Sequence, residues 1–167
     1  MPAFFTSDSH FGDHRTMNIG RRAFGSVAEM DAALVAGWNA VVGLGDEVWH
    51  LGDFARSPHT VPALLARLHG RKHLVRGNND PPGTLAAAGW ETVCDYCEMQ
   101  MDGRTLILCH YPFRSWNGQG RRSINLHGHS HGRLKPMLRQ FDVGVDVWNY
   151  RPVDLATILA GPNASAA

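Results

Sequence analysis

The sequence predicts an α/β protein in which a mixed β-sheet, or two packed sheets, carries helices on the outside. Strand and helix patterns alternate in the first half of the chain, whereas strand patterns dominate the second half. This change of pattern is typical of layered folds in which sheets pack against helices. No internal repeat and no linker divide the 167 residues, so we expect one domain over 1–160 and a flexible tail over 161–167.

Two helix starts can be recognised in the first half. Ser26 and Glu29 form a capping box, and apolar residues recur at helical spacing after it. Ser57 with Pro58 marks the second start, because proline fits the first turn of a helix. The pattern thus predicts a strand over 3–7, a helix over 29–42, a strand over 47–51, a helix over 57–68 and a strand over 72–75.

The second half contains a strong hairpin signal. Asp102-Gly103 lies between two long strand-like segments, and this dipeptide favours a tight β-turn. The pattern predicts a short helix over 84–88, hairpin strands over 91–101 and 104–110, strands over 124–128 and 140–145, and a short helix within 153–160.

Composition and charge exclude several classes of function. The 44% hydrophobic and 19% charged residues are typical of a globular protein rather than of a disordered or fibrous one. A formal net charge of +1 gives no broad attraction to polyanions, so we expect neither stable nucleic-acid binding nor a membrane partner. Neither a signal peptide nor an apolar run of ~18 residues is present, and we therefore expect a cytoplasmic protein.

The three cysteines allow more than one interpretation. Cys94 and Cys97 form a C-x-x-C motif, which could be a redox pair or half of a zinc site. The motif lies in a predicted strand, where positions i and i+3 point to opposite faces, and no second C-x-x-C follows. We favour free, buried thiols for this pair and for Cys109.

Metal-capable side chains recur at the ends of the predicted strands. Taken singly, each is typical of a turn, a helix cap or a core histidine. Strand ends converge on one crevice in open α/β sheets, so the recurrence favours a common site. The seven residues are Asp8, His10, Asp53, Asn78, His110, His129 and His131.

This set of ligands predicts a two-metal site. It provides oxygen and nitrogen atoms without a thiolate, which suits Mn²⁺, Fe, Zn, Co or Ni; we favour Mn²⁺. Seven ligands exceed the ~4 of a structural zinc site, so two divalent ions that share one carboxylate are the simplest interpretation. Two ions ~3.5–4 Å apart can bind one hydroxide as nucleophile and clamp a phosphoryl group.

The same residues carry a family resemblance. The motifs D-S-H (8–10), G-D (52–53), G-N-N-D (77–80), H (110) and G-H-S-H (128–131), in this order, resemble those of the calcineurin-like metallophosphoesterases. HLGDF, LHGHSH and VGVDVWNYRPV are similar to segments of the small single-domain bacterial phosphoesterases of that superfamily. The resemblance implies a four-layer αββα sandwich, with two mixed β-sheets flanked by helices and a dinuclear site at one edge.

The resemblance also implies a role for each ligand. It divides them between two ions and leaves one carboxylate to bridge both. By position, Asp8, His10 and His131 would bind the first metal, Asn78, His110 and His129 the second, and Asp53 would bridge the two.

Asn79 departs from the family pattern. Many relatives have histidine at this position, as a general acid that protonates the leaving oxygen, and the following acid orients it; here Asp80 follows. An amide can donate a hydrogen bond but cannot deliver a proton. We therefore predict catalytic roles for Asn79 and Asp80 in an enzyme that prefers phosphodiesters, or esters with good leaving groups, to simple alkyl phosphomonoesters. The substrate would be a small phosphodiester or phosphate ester, with nucleotides among the candidates.

Other functions stay open. One is a phosphomonoesterase, including a phosphoprotein phosphatase, and another is a metal-binding scaffold of the same fold without catalysis. A histidine-rich storage protein would have clustered histidines, whereas these are dispersed.

Residues outside the metal motifs are candidates for supporting roles. Arg114, Arg121 and Arg122 are candidates for binding substrate phosphate, since Arg is its preferred bidentate partner, or else they are solvated. Asp146 is a candidate support for a ligand.

Overall fold

Two β-sheets lie face to face in the computed structural model, which describes residues 2–162. Five strands form the first sheet, in the order β4-β3-β2-β1-β9, and four form the second, in the order β5-β6-β7-β8. The strands are Ala3–Thr6 (β1), Glu47–His50 (β2), Arg71–Val75 (β3), Trp90–Cys94 (β4), Cys97–Met101 (β5), Arg104–Leu108 (β6), Ile124–His127 (β7), Gln140–Asp142 (β8) and Val153–Asp154 (β9).

Both sheets are mixed. Strands β1 to β4 are parallel to their neighbours, and β9 pairs antiparallel with β1 at the edge. In the second sheet β5 and β6 are antiparallel, whereas β6, β7 and β8 are parallel. The predicted arrangement of two mixed sheets flanked by helices is therefore confirmed.

The helices are short apart from one. None within residues 2–162 combines the length and apolar character needed to cross a lipid bilayer. Two 3₁₀ turns, Pro58–Thr60 and Gln119–Arg121, add to them. The helices are His14–Ile19 (α1), Val27–Val41 (α2), Val61–Arg67 (α3), Pro82–Leu85 (α4) and Leu155–Ala160 (α5).

Helix α2 begins where the capping box predicts. The Ser26 hydroxyl accepts a hydrogen bond from the Glu29 amide at 3.1 Å, which satisfies one of the free N–H groups of the first turn. Met30, Leu34 and Trp38 form its buried stripe, and with α3 they cover the outer face of the first sheet.

The main core lies between the sheets. Phe5 of the first sheet meets Leu108 and Leu126 of the second, and all three side chains have no solvent exposure. The segment 111–123 crosses the outer face of the second sheet, where Phe113 donates from its amide to the Asn125 carboxamide oxygen at 3.3 Å.

The predicted strand over 91–101 is wrong as a single strand. The chain leaves β4 at Cys94, turns through Asp95 and Tyr96, and enters β5 at Cys97 in the other sheet. A continuous β-pattern therefore hides a passage between sheets, because β4 pairs with β3 and β5 pairs with β6. The hairpin at 102–103 is confirmed, with positive φ at both turn residues.

The cysteines are free, as predicted. Cys109 is buried, but Cys94 and Cys97 are only half-buried, so the expectation of full burial was wrong for these two. Burial raises the pKa of all three thiols, which keeps them in the protonated form that binds metals poorly.

Other differences concern short elements. The strand expected over 140–145 ends at Asp142, and the helix expected over 84–88 lies over Pro82–Leu85. The sequence analysis missed α1, which is short and polar and begins because the Asp13 carboxylate accepts from the amides of Arg15 and Thr16. Of the expected tail 161–167, residues 163–167 lie outside the described residues.

We expect Leu126→Ala to lower the free energy of unfolding by about 2–5 kcal/mol, because it leaves a cavity between the sheets. Leu44→Ala is the matched control: Leu44 is 80% exposed, so we expect a change within ~0.5 kcal/mol. Urea unfolding followed by circular dichroism measures both. Equal losses for the two variants would contradict the placement of the core.

Candidate metal centre

The candidate site lies where parallel strands of both sheets end. Because β1, β2 and β3 are parallel, as are β6 and β7, the loops that follow them meet at one end of the sandwich. The loops after these five strands carry Asp8 and His10, Asp53, Asn78, His110, and His129 and His131, respectively.

One group of ligand atoms surrounds Asp8. Its Oδ1 atom lies 3.8 Å from His10 Nε2 and 3.6 Å from His131 Nε2. Asp8 Oδ1 and His10 Nε2 are buried and have no hydrogen-bond partner within residues 2–162. Such orphaned atoms are costly. Two atoms that bind the same ion at about 2.0–2.2 Å lie further from each other than from the ion. The separations between the atoms of this group are of that kind, so these residues fit a metal ion.

A second group surrounds His110. Its Nδ1 atom faces the Leu51 carbonyl at 2.7 Å, which can only accept, so Nδ1 carries the proton. In a neutral imidazole, Nε2 then presents its lone pair to Asn78 Oδ1, 2.9 Å away. His110 Nε2 and Asn78 Oδ1 would then both be acceptors and would repel each other, so their close approach is consistent with a cation that binds both. The ring of His129 lies edge-on to that of His110, with centroids 5.1 Å apart.

Asp53 lies between the two groups. Its Oδ2 atom is 3.5 Å from His10 Nε2 and 3.6 Å from His110 Nε2. The side chain is almost fully buried, and Asp8, Asp53 and His110 form a second cluster of suitable ligand atoms. The structure thus brings all seven side chains into one site, with Asp53 within reach of both groups.

The backbone of the site is strained. Five of the seven residues have positive φ angles, between 48° and 67°: Asp8, His10, Asp53, His129 and His131. Non-glycine residues in this region each cost on the order of 1–3 kcal/mol and cluster at functional sites. The sharp turns point these side chains away from the core and toward a common centre.

Two glycines allow the loops to approach each other. A Cβ atom on Gly52 would lie 2.6 Å from His110 Nδ1, and one on Gly128 would overlap Ser7 Oγ and Asp8 Oδ2. Each glycine directly precedes a candidate ligand. The G-D and G-H motifs are therefore explained by close packing between loops as well as by chemistry.

Arg22 and Asp146 support the site from behind. The buried guanidinium of Arg22 donates to both oxygens of Asp146, at 2.8 and 2.9 Å, and to the carbonyls of Asp8 and Ser9. Asp146 Oδ2 in turn accepts from His131 Nδ1 at 2.7 Å, which directs the Nε2 lone pair toward Asp8. Asp146 therefore occupies the predicted supporting position, whereas Arg22 was missed because no local motif marks it.

The same contacts explain two pKa shifts. The hydrogen bond to Asp146 raises the pKa of His131. Burial alone would raise the pKa of Asp146, but hydrogen bonds from His131 and Arg22 outweigh it, and the pKa is lowered. Asp146 therefore stays ionised and holds the imidazole in one orientation.

Asn79 and Asp80 both support the Asp53 loop. Asn79 donates to the Asp53 carboxylate from its backbone amide at 2.8 Å and from its side-chain Nδ2 at 2.7 Å. The Asp80 carboxylate accepts from the amides of Asp53, Phe54 and Gly77. No hydrogen bond of the described residues joins Asp80 to the Asn79 side chain, so Asp80 positions the loops instead of orienting that side chain.

A cleft of about 300 Å³ opens over the candidate ligands. Three arginines that the sequence analysis did not select, Arg15, Arg56 and Arg133, line it, and we call them the arginine rim. The predicted substrate-binding arginines Arg114, Arg121 and Arg122 are exposed and are not among its lining residues, because the segment 111–123 lies on the outer face of the second sheet.

The two mixed sheets, with a cluster of carboxylates and imidazoles at one end, define a layered α/β protein with side chains that could hold metal. A model of the calcineurin-like phosphoesterase superfamily domain matches residues 1–140, and the chain belongs to this superfamily.

Relatives cover nearly the whole chain. The gene 66 protein of Mycobacterium phage L5 is 32% identical over 87% of this chain and 86% of its own length. An uncharacterised protein of Methanocaldococcus jannaschii is 30% identical over 93% of this chain and 88% of its own. A solved structure, of a protein of unknown function from Aquifex aeolicus, shares the fold with a TM-score of 0.73 at 21% identity, covering 92% of this chain and 95% of that one.

We expect Gly128→Ala to weaken Mn²⁺ binding at least about tenfold, because the added methyl group displaces Asp8 and the loop that carries His129. Gly120→Ala is the control, since a Cβ there meets open space. Mn²⁺ titration followed by calorimetry, with circular dichroism to verify folding, compares the two. Unchanged affinity in a folded Gly128→Ala variant would contradict the described loop packing.

We expect Asp146→Asn to reduce Mn²⁺ affinity by about 10–100-fold, because the His131 ring loses its anionic partner. The surface variant Asp95→Asn, whose carboxylate pairs with Arg76, should bind as the wild type does. Competition with a chelator measures the affinities. If the folded Asp146→Asn variant binds as tightly as the control, Asp146 does not position His131.

Proposed function

We propose that this protein is a dinuclear metal-dependent phosphoesterase that prefers phosphodiesters. The observation that carries the proposal is the position of the Asp53 carboxylate. Its Oδ2 atom is nearly equidistant from His10 and His110, at 3.5 and 3.6 Å, and these two histidines belong to different groups of candidate ligands. A shared carboxylate between two imidazole groups is what a two-metal hydrolase requires.

The seven candidate ligands would be divided between two metal ions. Asp8, His10 and His131 would hold one divalent ion and Asn78, His110 and His129 the other, with Asp53 shared. We favour Mn²⁺, with Fe, Zn, Co or Ni as alternatives that the oxygen and nitrogen ligands also suit. When bound, such ions supply Lewis acidity and a nucleophile derived from water at neutral pH.

Asn79 sets the substrate preference in this proposal. One of its two amide protons is held by Asp53, at an Nδ2–Oδ2 distance of 2.7 Å, so the other is free to donate to a phosphoryl oxygen. This hydrogen bond would stabilise charge that develops on the phosphoryl group. Because an amide cannot protonate the leaving oxygen, the leaving group must depart as an anion or take a proton from solvent.

A diester fits this limitation better than an alkyl monoester. The monoanionic diester presents less negative charge to an incoming anion than a dianionic monoester does. A good leaving group removes the need for the missing acid. Small phosphodiesters, such as those of nucleotides, are therefore the substrates that we propose.

We expect metal-stripped protein reloaded with Mn²⁺ to hydrolyse bis-p-nitrophenyl phosphate with a kcat/KM at least about tenfold above that for p-nitrophenyl phosphate. A higher value for the monoester would show that another group supplies the proton. No turnover of either ester, with two ions bound per chain, would favour the non-catalytic scaffold.

The Asn79→His variant extends this test to the leaving group. An added general acid assists poor leaving groups most, so diphenyl phosphate should gain about tenfold or more relative to bis-p-nitrophenyl phosphate. Asn117→His, at an exposed position bonded to Glu98, is the matched control. An unchanged ratio between the two diesters in the Asn79→His variant would refute the role assigned to Asn79.

A further inference from the structure

The arginine rim is built from three separate segments, the helix α1 and two loops. Arg15, Arg56 and Arg133 each follow one of the metal-capable motifs, D-S-H, G-D and G-H-S-H, along the chain. The fold places the three arginine side chains of these segments around one cleft of about 300 Å³. A cationic rim of this kind does not arise from one charge-rich segment, and the whole protein carries a formal net charge of only +1.

The charges of the rim have no protein partner. Across residues 2–162, the ion pairs of arginine are those of Arg22, Arg71 and Arg76, and none involves the rim. Two carboxylates line the same cleft, but both are occupied. Asp13 accepts from the Thr16 hydroxyl and from two amides of α1, and Asp53 accepts from Asn79.

One member of the rim is fixed in place. Arg133 donates from Nη2 to the Ile19 carbonyl at the end of α1, at 3.1 Å, which holds its side chain across the mouth of the cleft. A guanidinium has five N–H donors, so the remaining ones stay available. No side-chain hydrogen bond of Arg15 or Arg56 occurs among the described residues, and their donors are also available to a ligand.

The phosphoryl group that reacts does not need three arginines. Two divalent ions already exceed the charge of the Asp8 and Asp53 carboxylates, so a monoanionic diester would leave the rim uncompensated. Arginine matches phosphate with bidentate hydrogen bonds, and its charge is retained at any physiological pH. The cleft volume is at the lower end of the ~300–1,000 Å³ of small-molecule sites, which suits a ligand of nucleotide size.

We propose that Arg15, Arg56 and Arg133 bind a second, terminal phosphate of the substrate. The substrate class is then a nucleotide-type phosphodiester that carries an additional phosphate monoester. This inference rests on the proposed phosphodiesterase function and adds to it the feature that selects among diesters: a dianionic group bound on the rim side of the metal centre.

Two p-nitrophenyl esters test the rim. One is thymidine 5′-(p-nitrophenyl phosphate), and the other is the same ester with a phosphate on the 3′ oxygen. With Mn²⁺-loaded protein we expect the 3′-phosphate to raise kcat/KM by about tenfold or more, and the gain to shrink as ionic strength rises. Equal kcat/KM values for the two esters would overturn the proposal while leaving the phosphodiesterase function intact.

Variants assign the gain to particular residues. Arg15→Gln, Arg56→Gln and Arg133→Gln should each bring the ratio of the two kcat/KM values closer to one, whatever happens to the rates themselves. Arg104→Gln, at the exposed start of β6, should keep the wild-type ratio. If Arg121→Gln removes the gain and the rim variants do not, the 111–123 segment binds the second phosphate and the proposal is wrong.

A binding measurement tests phosphate binding by the arginine rim independently of the proposed phosphodiesterase activity. Calorimetry on the Mn²⁺-loaded protein compares thymidine 3′,5′-bisphosphate with thymidine 5′-phosphate. We expect the bisphosphate to bind about tenfold more tightly, and the rim variants to lose this difference. If neither ester is hydrolysed, the proposed function fails, but the binding difference still supports or refutes the rim.

Discussion

The buried charge of Asp8 is the constraint on which the site depends. Its side chain has no solvent exposure, and burial alone would raise its pKa, but the nearby imidazoles of His10, His131 and His110 outweigh burial and lower the pKa. A buried carboxylate that stays ionised is very costly unless its surroundings compensate the charge. The loops at this end of the sandwich do so, with imidazoles and with the His129 amide, which donates to Asp8 at 2.9 Å.

Backbone contacts next to Asp8 also join the two sheets. Ser7, directly after β1 of the first sheet, forms a parallel bridge with Gly144, which follows β8 of the second sheet, and accepts from the Val145 amide at 3.0 Å. Behind them, Arg22 connects Asp146 to the backbone at Asp8. Long-range contacts thus hold the local strain at the candidate ligand residues, which is why five residues with left-handed backbone can persist in one site.

Sequence reasoning succeeded where the information is local. The metal-capable motifs lie directly after strands, as the pattern predicts, and the capping box at Ser26 determines a helix start by itself. It failed where long-range pairing decides: nothing in 91–101 marks the passage from one sheet to the other. Arg121 was selected because it is near His110 in sequence. The chain leaves the site after Tyr111, whose ring packs against that of His129, whereas Arg133 lines the cleft and contacts Ile19.

The last two residues of the G-N-N-D segment (77–80) make different contacts. Asp80 binds backbone amides of two loops, and Asn79 binds the Asp53 carboxylate, so the geometry around Asp53 is maintained without a histidine at position 79. An imidazole there could exchange protons with a leaving group, whereas an amide can only orient and polarise. Asn79 therefore cannot transfer a proton, but its two hydrogen bonds hold the Asp53 carboxylate in place. If the proposed function holds, selectivity must come from the leaving group of the substrate and from binding energy outside the candidate metal centre, where the guanidinium groups of the arginine rim lie.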